Sequence, residues 1–472
     1  LKQERMVAVN ENVLNQLKEF GKRSEKLSDS LQLLLSQYED QSTYDEQYQR
    51  LLKEFGLEDE LRKAQKGVKR FNMVSVLYVA IHGFDVLTTR PDAQKQMDSL
   101  DEILFTISDI AQKYSLIKIP TVGDNVMLAG GITTQNKTNP IDATLAAFEI
   151  ANCVDKHREE TDSIWSVGIG IHTGPVLGRY MPGKLTPYTL SGNNVLIATR
   201  LGQASAVGHV SVSLMTNELI KEFFEVNQNG KIPVKYSGTM DVFDLLDIVP
   251  SLRNEDGQYL TNATFDLAYS RLQFMDIQEY MLDMLEEKLP KYLHYHSVKH
   301  TIDVTTEVEL IGWAEGLAES DIMLLKVAGL FHDSGHIVTY VGHEEESCNF
   351  AQEILPKFNY PQEKIDKIKR IIMATKLPHT PSDILEAIIQ DSDLDYLGRT
   401  DFVPVSNMLY QELLDRGIQM TMDEWNENQI KFISAHQYYT STARTLREVN
   451  KQSQIERLHE LLGHKKQDCE QC

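Results

Sequence analysis

The run VSVLYVAI, residues 74–81, marks the point where the pattern of the chain changes. Residues 1–70 are polar and helix-prone and carry no strand signal, whereas this run is apolar and rich in β-branched residues, which is typical of a strand. A helical stretch at 97–114 follows, and two further apolar runs then flank Gly123-Asp124, which is typical of two strands around a tight turn. This order of elements begins an α+β layer.

The strand and helix signals continue to about residue 250. A second helical stretch, 141–157, leads into the strand-like SVGIGIHTG at 166–174, and shorter strands are expected near 187–190, 209–213 and 233–248. The order strand, helix, strand, strand, helix, strand predicts an α+β domain with a mixed or antiparallel sheet.

The second half of the chain has a different pattern. From about residue 263 onward the helical periodicity is almost uninterrupted and no convincing strand is found, so this half is predicted to be all-helical. Metal sites in such domains are built between facing helices. A chain of 472 residues is too long for one ordinary core. We therefore divide it into a helical or coiled-coil segment (1–70), the α+β domain (71–250), a linker (251–268) and the helical domain (269–465).

The N-terminal segment contains a short seam of apolar residues at heptad spacing. The seam is weakened by Gly21 and by one polar member, and it consists of Val13, Leu17, Phe20, Ser24, Leu27, Leu31 and Leu34. Two interpretations stay open: an amphipathic helix that packs on its own domain, or a parallel stalk that makes the chain a homodimer.

Composition and charge exclude some partners. The net charge of −22 repels phosphate backbones, so no nucleic-acid partner is expected, although a bound metal can still attract a small anion. No run of eighteen or more apolar residues exists, so no membrane segment is expected in this chain. The four cysteines are too few and too scattered for a disulfide framework, and a reducing, cytoplasmic location fits them best.

Histidines and carboxylates are grouped in the helical half. In YHSVKHTIDV, residues 295–304, His296 and His300 are four apart, so in a helix they would share one face. The segment GLFHDSGH then supplies His332, Asp333 and His336, again with the two histidines four apart.

More candidate ligands follow along the chain. They are His343, His379, Asp391, Asp393 and Asp395. Neutral imidazoles and carboxylates suit a divalent transition metal, and a carboxylate that bridges would allow a second ion. Each histidine alone also fits a surface or core position, so the prediction depends on the whole set.

This spacing of histidines and aspartates on helices resembles the HD superfamily of metal-dependent phosphohydrolases over about 270–465. The resemblance implies one or two divalent ions, Mn, Fe, Zn or Mg. It implies that the main ion is held by His300, His332, Asp333 and Asp393, and that His343 and His379 are candidates for a second ion.

Shorter motifs are similar to those of the cyclic-nucleotide phosphodiesterases within that superfamily. YHSVKHTIDV is similar to their YHNxxHAxDV, HDSGH to HDxDH, DSDL to ADL, and NQIKFI to QxxFI. The resemblance implies that His296 is the general acid and that the substrate contacts His336, Gln429 and Phe432, the amide reading the purine edge and the ring clamping its face. QxxF alone also fits a helix with one core Phe and one exposed Gln.

The reaction implied is metal-assisted hydrolysis of a phosphodiester. Asp333 would orient a water whose pKa the ions lower, and His296 would protonate the leaving 3′ oxygen. The chain departs from the family at Ser297, where the eukaryotic enzymes have Asn, and its helical domain is shorter than theirs. The choice between cAMP, cGMP and another phosphoester stays open.

Residues 71–250 resemble the catalytic domain of the class III nucleotidyl cyclases, which implies a ferredoxin-like α+β fold. The similar segments are VLYVAIHGFDVLT, TVGDNVM, GIGIHTGPVL and YTLSGNNVLIATRL. Of the two metal-binding aspartates of those enzymes, one is kept as Asp124 and the other position is Ala80. An asparagine that orients the triphosphate is replaced by Leu196, whereas the arginine position is kept as Arg200.

Loss of one metal ligand leaves phosphate charge uncompensated, so little cyclase activity is expected. A nucleotide effector would then bind at Lys118, Asp124, Thr189 and Arg200, the first and third of which occupy the places of purine-selecting residues. The alternative is a domain that only dimerises the chain. The sequence thus predicts a dimeric cyclic-nucleotide phosphodiesterase regulated by a degenerate cyclase-like domain. Two readings remain beside it: a nucleotide-sensing signalling module whose HD domain is inactive or acts on another substrate, and a working cyclase.

Overall fold

The computed structural model describes residues 68–121, 125–181, 187–234, 238–255 and 259–469. The predicted N-terminal segment and its heptad seam lie outside these residues, apart from residues 68–70, and so does Asp124. The described residues form two compact units, the first within Leu1–Gln135 and Asn139–Leu260 and the second within Asn136–Thr138 and Thr261–Cys472.

A mixed sheet organises the first unit. Its strands are β1 (Lys69–His82), β2 (Ile117–Ile119), β3 (Val126–Gly130), β4 (Ser166–Tyr180), β5 (Tyr188–Ser191), β6 (Val210–Ser213), β7 (Phe224–Val234) and β8 (Gly238–Ile248). They run in the order β2-β3-β1-β4-β6-β8-β7, with β5 paired to β4. The β4–β6 pair is parallel and the other pairs are antiparallel. The predicted α+β fold with a mixed sheet is confirmed.

The long strand β7 was not predicted over most of its length. Its sequence, FEVNQNGKIPV, is rich in polar and turn-forming residues, and most of its side chains are exposed. It is the last strand of the sheet and pairs only with β8 among the described strands. An edge strand of this kind has little need for apolar residues, which removes the sequence signal.

The described residues of the first unit also form five α-helices: α1 (Phe84–Leu87), α2 (Ala93–Lys113), α3 (Asn139–Thr161), α4 (Asn193–Ala204) and α5 (Leu214–Ile220). Close packing of α4 on β4 depends on glycine. A Cβ atom placed on Gly170 would lie 2.1 Å from the backbone nitrogen of Gly202, and one placed on Gly202 would lie 2.7 Å from the carbonyl oxygen of Tyr78, so neither position has room for a side chain.

The second unit is helical throughout its described residues. Its α-helices are α6 (Ala263–Lys288), α7 (Val298–Ala314), α8 (Glu319–Phe331), α9 (His343–Ile354), α10 (Gln362–Met373), α11 (Ile384–Asp393), α12 (Phe402–Asp415), α13 (Met422–Ala435), α14 (Ser441–Ala443) and α15 (Val449–Cys469). The predicted all-helical domain is confirmed. No helix of the described residues is long and apolar enough to cross a membrane.

Helix α8 is the centre of this unit. Almost all its residues from Ile322 to Phe331 are buried, and it packs against α6, α7, α10 and α11. A helix that is apolar on every side must lie inside the core. Because α8 ends at Phe331, the next residue, His332, emerges in the middle of the unit with no exposed side-chain surface.

Candidate metal centre

Three helix ends bring a first group of ligands together. His300 lies in the first turn of α7, His332 directly follows α8, and Asp393 is the last residue of α11. One potential ligand atom from each lies within 4.8 Å of the other two. The distance from Asp393 Oδ1 is 3.1 Å to His300 Nε2 and 3.5 Å to His332 Nε2.

Asp333 completes this group. Its Oδ2 lies 3.3 Å from His300 Nε2 and 3.2 Å from His332 Nε2, yet this buried oxygen has no partner in hydrogen-bond geometry. The two imidazole Nε2 atoms are themselves only 3.3 Å apart. Two nitrogens and two carboxylate oxygens therefore converge on one point.

The donor atoms in this group fit a divalent cation. His332 Nδ1 lies 2.8 Å from the carbonyl oxygen of Gly329, which can only accept, so Nδ1 carries the hydrogen and Nε2 of the neutral ring presents a lone pair. That lone pair faces Asp333 and Asp393. Acceptor atoms held this close repel one another unless a proton or a cation lies between them, and a backbone bond on the far nitrogen is typical of a metal-bound histidine.

The electrostatics of the protein alone point the same way. Burial disfavours the charged form of His332, but Asp333 and Asp393 outweigh it and hold the pKa of His332 well above its usual range. Burial raises the pKa of Asp333, but His332, His300 and His343 outweigh it and hold that pKa well below its usual range. Positive charge at this point therefore stabilises the two carboxylates. A metal ion would supply that charge in place of protons.

A second group lies on the other oxygen of Asp333. His343 Nε2 is 3.4 Å from Asp333 Oδ1, and His336 Nε2 is 4.0 Å from the same atom. The rings of His336 and His343 stack with centroids 3.9 Å apart, and His296, Asp333 and His336 again bring ligand atoms within 4.8 Å. One carboxylate therefore faces two groups of imidazoles, one with each oxygen.

His336 is a neutral ring in this group. Burial lowers its pKa to about 3, with the neighbouring His296 and His343 adding to the shift and Asp333 opposing it. Both of its ring nitrogens are buried without a hydrogen-bond partner among the described residues. Such unpartnered nitrogens are costly unless a ligand or an ion pairs with them.

The expectation that each pair of histidines shares one helical face is wrong in detail. Helix α7 begins at Val298, after an extended Ser297, so His296 lies before the helix. Helix α8 ends before His332, and His336 lies in a separate 3₁₀ turn, Ser334–Ile337. The members still come close, because the rings of His296 and His300 lie 6.1 Å apart in edge-to-face contact.

Glu412 is the residue of this site that the sequence prediction missed. Its buried side chain accepts a 2.5 Å hydrogen bond from His296 Nδ1 and bonds from the backbone N–H groups of Tyr295 and His296. Burial raises the pKa of Glu412, but the bonds from His296 outweigh it and lower that pKa, so the carboxylate is charged near neutral pH. A signal existed, because three- and four-residue spacing places Glu412 on the face of α12 that carries Phe402 and Leu409.

Three predicted residues have other neighbours. His379 Nε2 lies 3.0 Å from Glu386 Oε2, and no described contact joins it to Asp333. Gln429 is buried and its Oε1 has no hydrogen-bond partner among the described residues. Phe432 is 38% exposed, and its ring lies 6.3 Å from that of His436.

A pocket of about 120 Å³ opens beside the first group. His300 and Asp393 form part of its wall, together with apolar side chains such as Tyr396 and Met408. Its lining also includes the charged side chains of Lys299, Asp303, Glu307, Asp395, Arg399 and Asp401. Neither Gln429 nor Phe432 lines it.

The structure describes three of the four predicted effector residues of the first unit. Lys118 on β2 and Arg200 on α4 are exposed, and Thr189 on β5 is half-buried. Strands β2 and β5 approach each other, but no described hydrogen bond or ion pair links the three side chains. Ala80 is buried within β1, and Leu196 on α4 is 55% exposed.

Comparison with known proteins assigns both units. Residues 67–247 match the family model described as "Adenylate and Guanylate cyclase catalytic domain", and residues 298–396 match the HD domain. The chain carries a class III cyclase catalytic domain followed by an HD domain. The resemblances of the two halves to the class III cyclase domain and to the HD superfamily are confirmed.

The curated relatives are each similar to part of the chain. The chain is 30% identical to the membrane guanylyl cyclase of Dictyostelium discoideum over 35% of this chain and 11% of that protein. It is 24% identical to retinal guanylyl cyclase 2 of Rattus norvegicus over 50% of this chain and 23% of that protein. It is 25% identical to guanylate cyclase soluble subunit alpha-1 of Rattus norvegicus over 33% of this chain and 22% of that protein. The chain thus spans less than a quarter of the length of each.

Solved cyclase domains are also similar to part of the chain. The catalytic core of a rhodopsin-guanylyl cyclase in complex with ATPalphaS has 24% identity and a TM-score of 0.35, over 39% of this chain and 99% of that chain. The adenylyl cyclase CyaB from P. aeruginosa has 25% identity and a TM-score of 0.36, over 39% of this chain and 98% of that chain.

Proposed function

We propose that the HD domain is a metal-dependent phosphodiesterase that hydrolyses 3′,5′-cyclic nucleotides to 5′-nucleotides. One observation carries the proposal. A buried carboxylate, Asp333, faces one group of imidazoles with each of its oxygens, and a carboxylate-paired histidine, His296, lies beside the second group. Metal ligands and a separate proton donor are what hydrolysis of a phosphodiester requires.

The residues that would hold the first ion are His300, His332, Asp333 and Asp393. A second ion would share Asp333 with His343, which the short distance to Asp333 supports over His379, a residue already paired with Glu386. A divalent ion here, Mn, Fe, Zn or Mg, would neutralise phosphate charge and lower the pKa of water toward neutrality.

His296 is proposed as the general acid. Its Nδ1 is held by Glu412, so Nε2 is the nitrogen left to deliver a proton to the leaving 3′ oxygen. Donation from Nε2 uses the doubly protonated ring, whose Nδ1–H stays bonded to Glu412. The ring lies 4.4 Å from that of His336, so the donor is next to the second group of ligands.

The first test is hydrolysis of cAMP and cGMP by the full chain with Mg²⁺ or Mn²⁺, following release of the 5′-nucleotide. We expect turnover in the wild type and none above background in His300→Ala, because that change removes a nitrogen shared by Asp333 and Asp393. Absence of turnover with either metal would contradict the proposal for cyclic nucleotides.

A second candidate function is a nucleotide-sensing module whose HD domain acts on a different phosphoester or on none. The pocket beside the metal centre favours it, because Gln429 and Phe432, the residues proposed to read a purine, do not line that pocket. A panel of other phosphomonoesters and phosphodiesters, tested with the same metals, separates a different substrate from an inactive domain.

Regulation by the cyclase-like domain is proposed as well, through a homodimer and a nucleotide bound at Lys118, Asp124, Thr189 and Arg200. Ala80 lacks the carboxylate that a second cyclase metal needs, so binding without turnover is expected. We expect a fluorescent nucleoside triphosphate to bind the wild type and to bind Arg200→Gln about tenfold more weakly, since one charged contact is lost. Arg158→Gln, at an arginine paired with Asp155 on α3, should leave this affinity unchanged.

A further inference from the structure

Arg416 is a cation without a carboxylate partner. It follows α12, is half-buried, and forms no ion pair with any described residue. The other two half-buried arginines of the helical unit differ: Arg399 is paired with Asp401, and Arg447 with Asp395. In a protein with a net charge of −22, a half-buried arginine left unneutralised calls for an explanation.

Tyr340 holds the Arg416 side chain next to the candidate metal centre. The guanidinium carbon lies 3.1 Å from the centre of the Tyr340 ring. That ring is 4.9 Å from the ring of His336 and 5.7 Å from that of His296, and the backbone carbonyl of Tyr340 accepts a bond from His343 Nδ1. One aromatic ring therefore separates Arg416 from the proposed proton donor.

The contact with Tyr340 uses only part of the chemistry of the guanidinium. Its carbon lies over the ring and the side chain also hydrogen-bonds Tyr340, which leaves others of its five N–H donors for a ligand. Planar arginine edges match phosphate oxygens in bidentate geometry. A purely structural role, a cation at the negative end of α12 stacked on an aromatic ring, would need no such ligand.

We propose that Arg416 binds phosphoryl oxygens of the substrate and of the phosphate-monoester product at the candidate metal centre, with Tyr340 as its platform. The inference rests on the proposed function and names a positioning residue for the anionic group. Its physical reason is local charge. Asp333, Asp393 and Glu412 make the region acidic, so an approaching phosphate ester needs a cation that no carboxylate neutralises.

The test measures binding of inorganic phosphate to the full chain loaded with Mn²⁺, by calorimetry, so it does not depend on turnover. We expect Arg416→Gln to raise the Kd for phosphate about tenfold, which corresponds to about 1.4 kcal/mol. Arg416→Lys should lie between the two, because it keeps the charge and loses the bidentate edge. Arg457→Gln, the same change at an exposed arginine of α15, should leave the Kd unchanged.

The binding and kinetic measurements distinguish failure of the role of Arg416 from failure of the proposed function. If cyclic nucleotides are hydrolysed, Arg416→Gln should raise KM by a similar factor and leave kcat within about twofold, since uniform binding is lost. A Kd for phosphate equal to that of the wild type in both Arg416 variants, or no phosphate binding by the wild type, would overturn the role of Arg416. Failure of the proposed function appears separately, as phosphate binding that depends on Arg416 without cyclic-nucleotide hydrolysis.

Discussion

Replacing Asp333 by asparagine should abolish hydrolysis and empty the metal centre. Asn keeps the size of the side chain but removes the charge that both groups of imidazoles face. Loss of one electrostatic contact in an active site costs about 10²–10³ in kcat. Because Asp333 would serve both ions, we expect a loss of at least about 10³-fold, with little or no divalent metal retained.

The measurement is metal content by plasma mass spectrometry beside turnover. The matched control is Asp391→Asn, the same change two residues before Asp393. The buried Asp391 carboxylate accepts bonds from the backbone of Tyr439 and Thr440, so its loss should lower the melting temperature and leave metal content and activity near the wild type. Full metal content in Asp333→Asn would show that Asp333 does not bridge the two groups.

The fold could be predicted because its signals are local. Apolar strands such as β1 and β4 and the long periodic helices carry their pattern in a few neighbouring residues, and the family motifs gave the domain order. Strand β7 lacks such a local signal, because its place at the sheet edge is fixed by pairing with β8 and not by its own composition.

The residue types of the site could be predicted from the sequence, but the contacts between those residues could be predicted less well. The histidines and aspartates stand in motifs, but the breaks in the helices at Ser297 and His332 that turn them toward each other depend on packing around α8. Glu412 lies 116 residues from His296 and belongs to no motif, so only the folded chain joins them. His379 contacts Glu386, a partner seven residues away, and not the cluster. This contact also becomes visible only in the folded chain.

Glu412→Gln should reduce kcat by about 10²–10³-fold, the range for loss of effective general acid catalysis. Only one of the two terminal atoms of glutamine accepts hydrogen bonds, so either the bond from His296 Nδ1 or the bonds from the two backbone N–H groups are lost, and the ring is no longer held as in the wild type. We therefore expect kcat to fall while metal content stays at the wild-type level.

The control is Glu424→Gln. It makes the same Glu-to-Gln change at the exposed capping box where α13 begins. Glutamine also completes a capping box, so activity should stay within about twofold of the wild type. An unfolded Glu412→Gln would appear as lost metal and a lowered melting temperature. A folded, metal-loaded Glu412→Gln with wild-type kcat would remove Glu412 from the proton-donor pair and leave His296 acting alone.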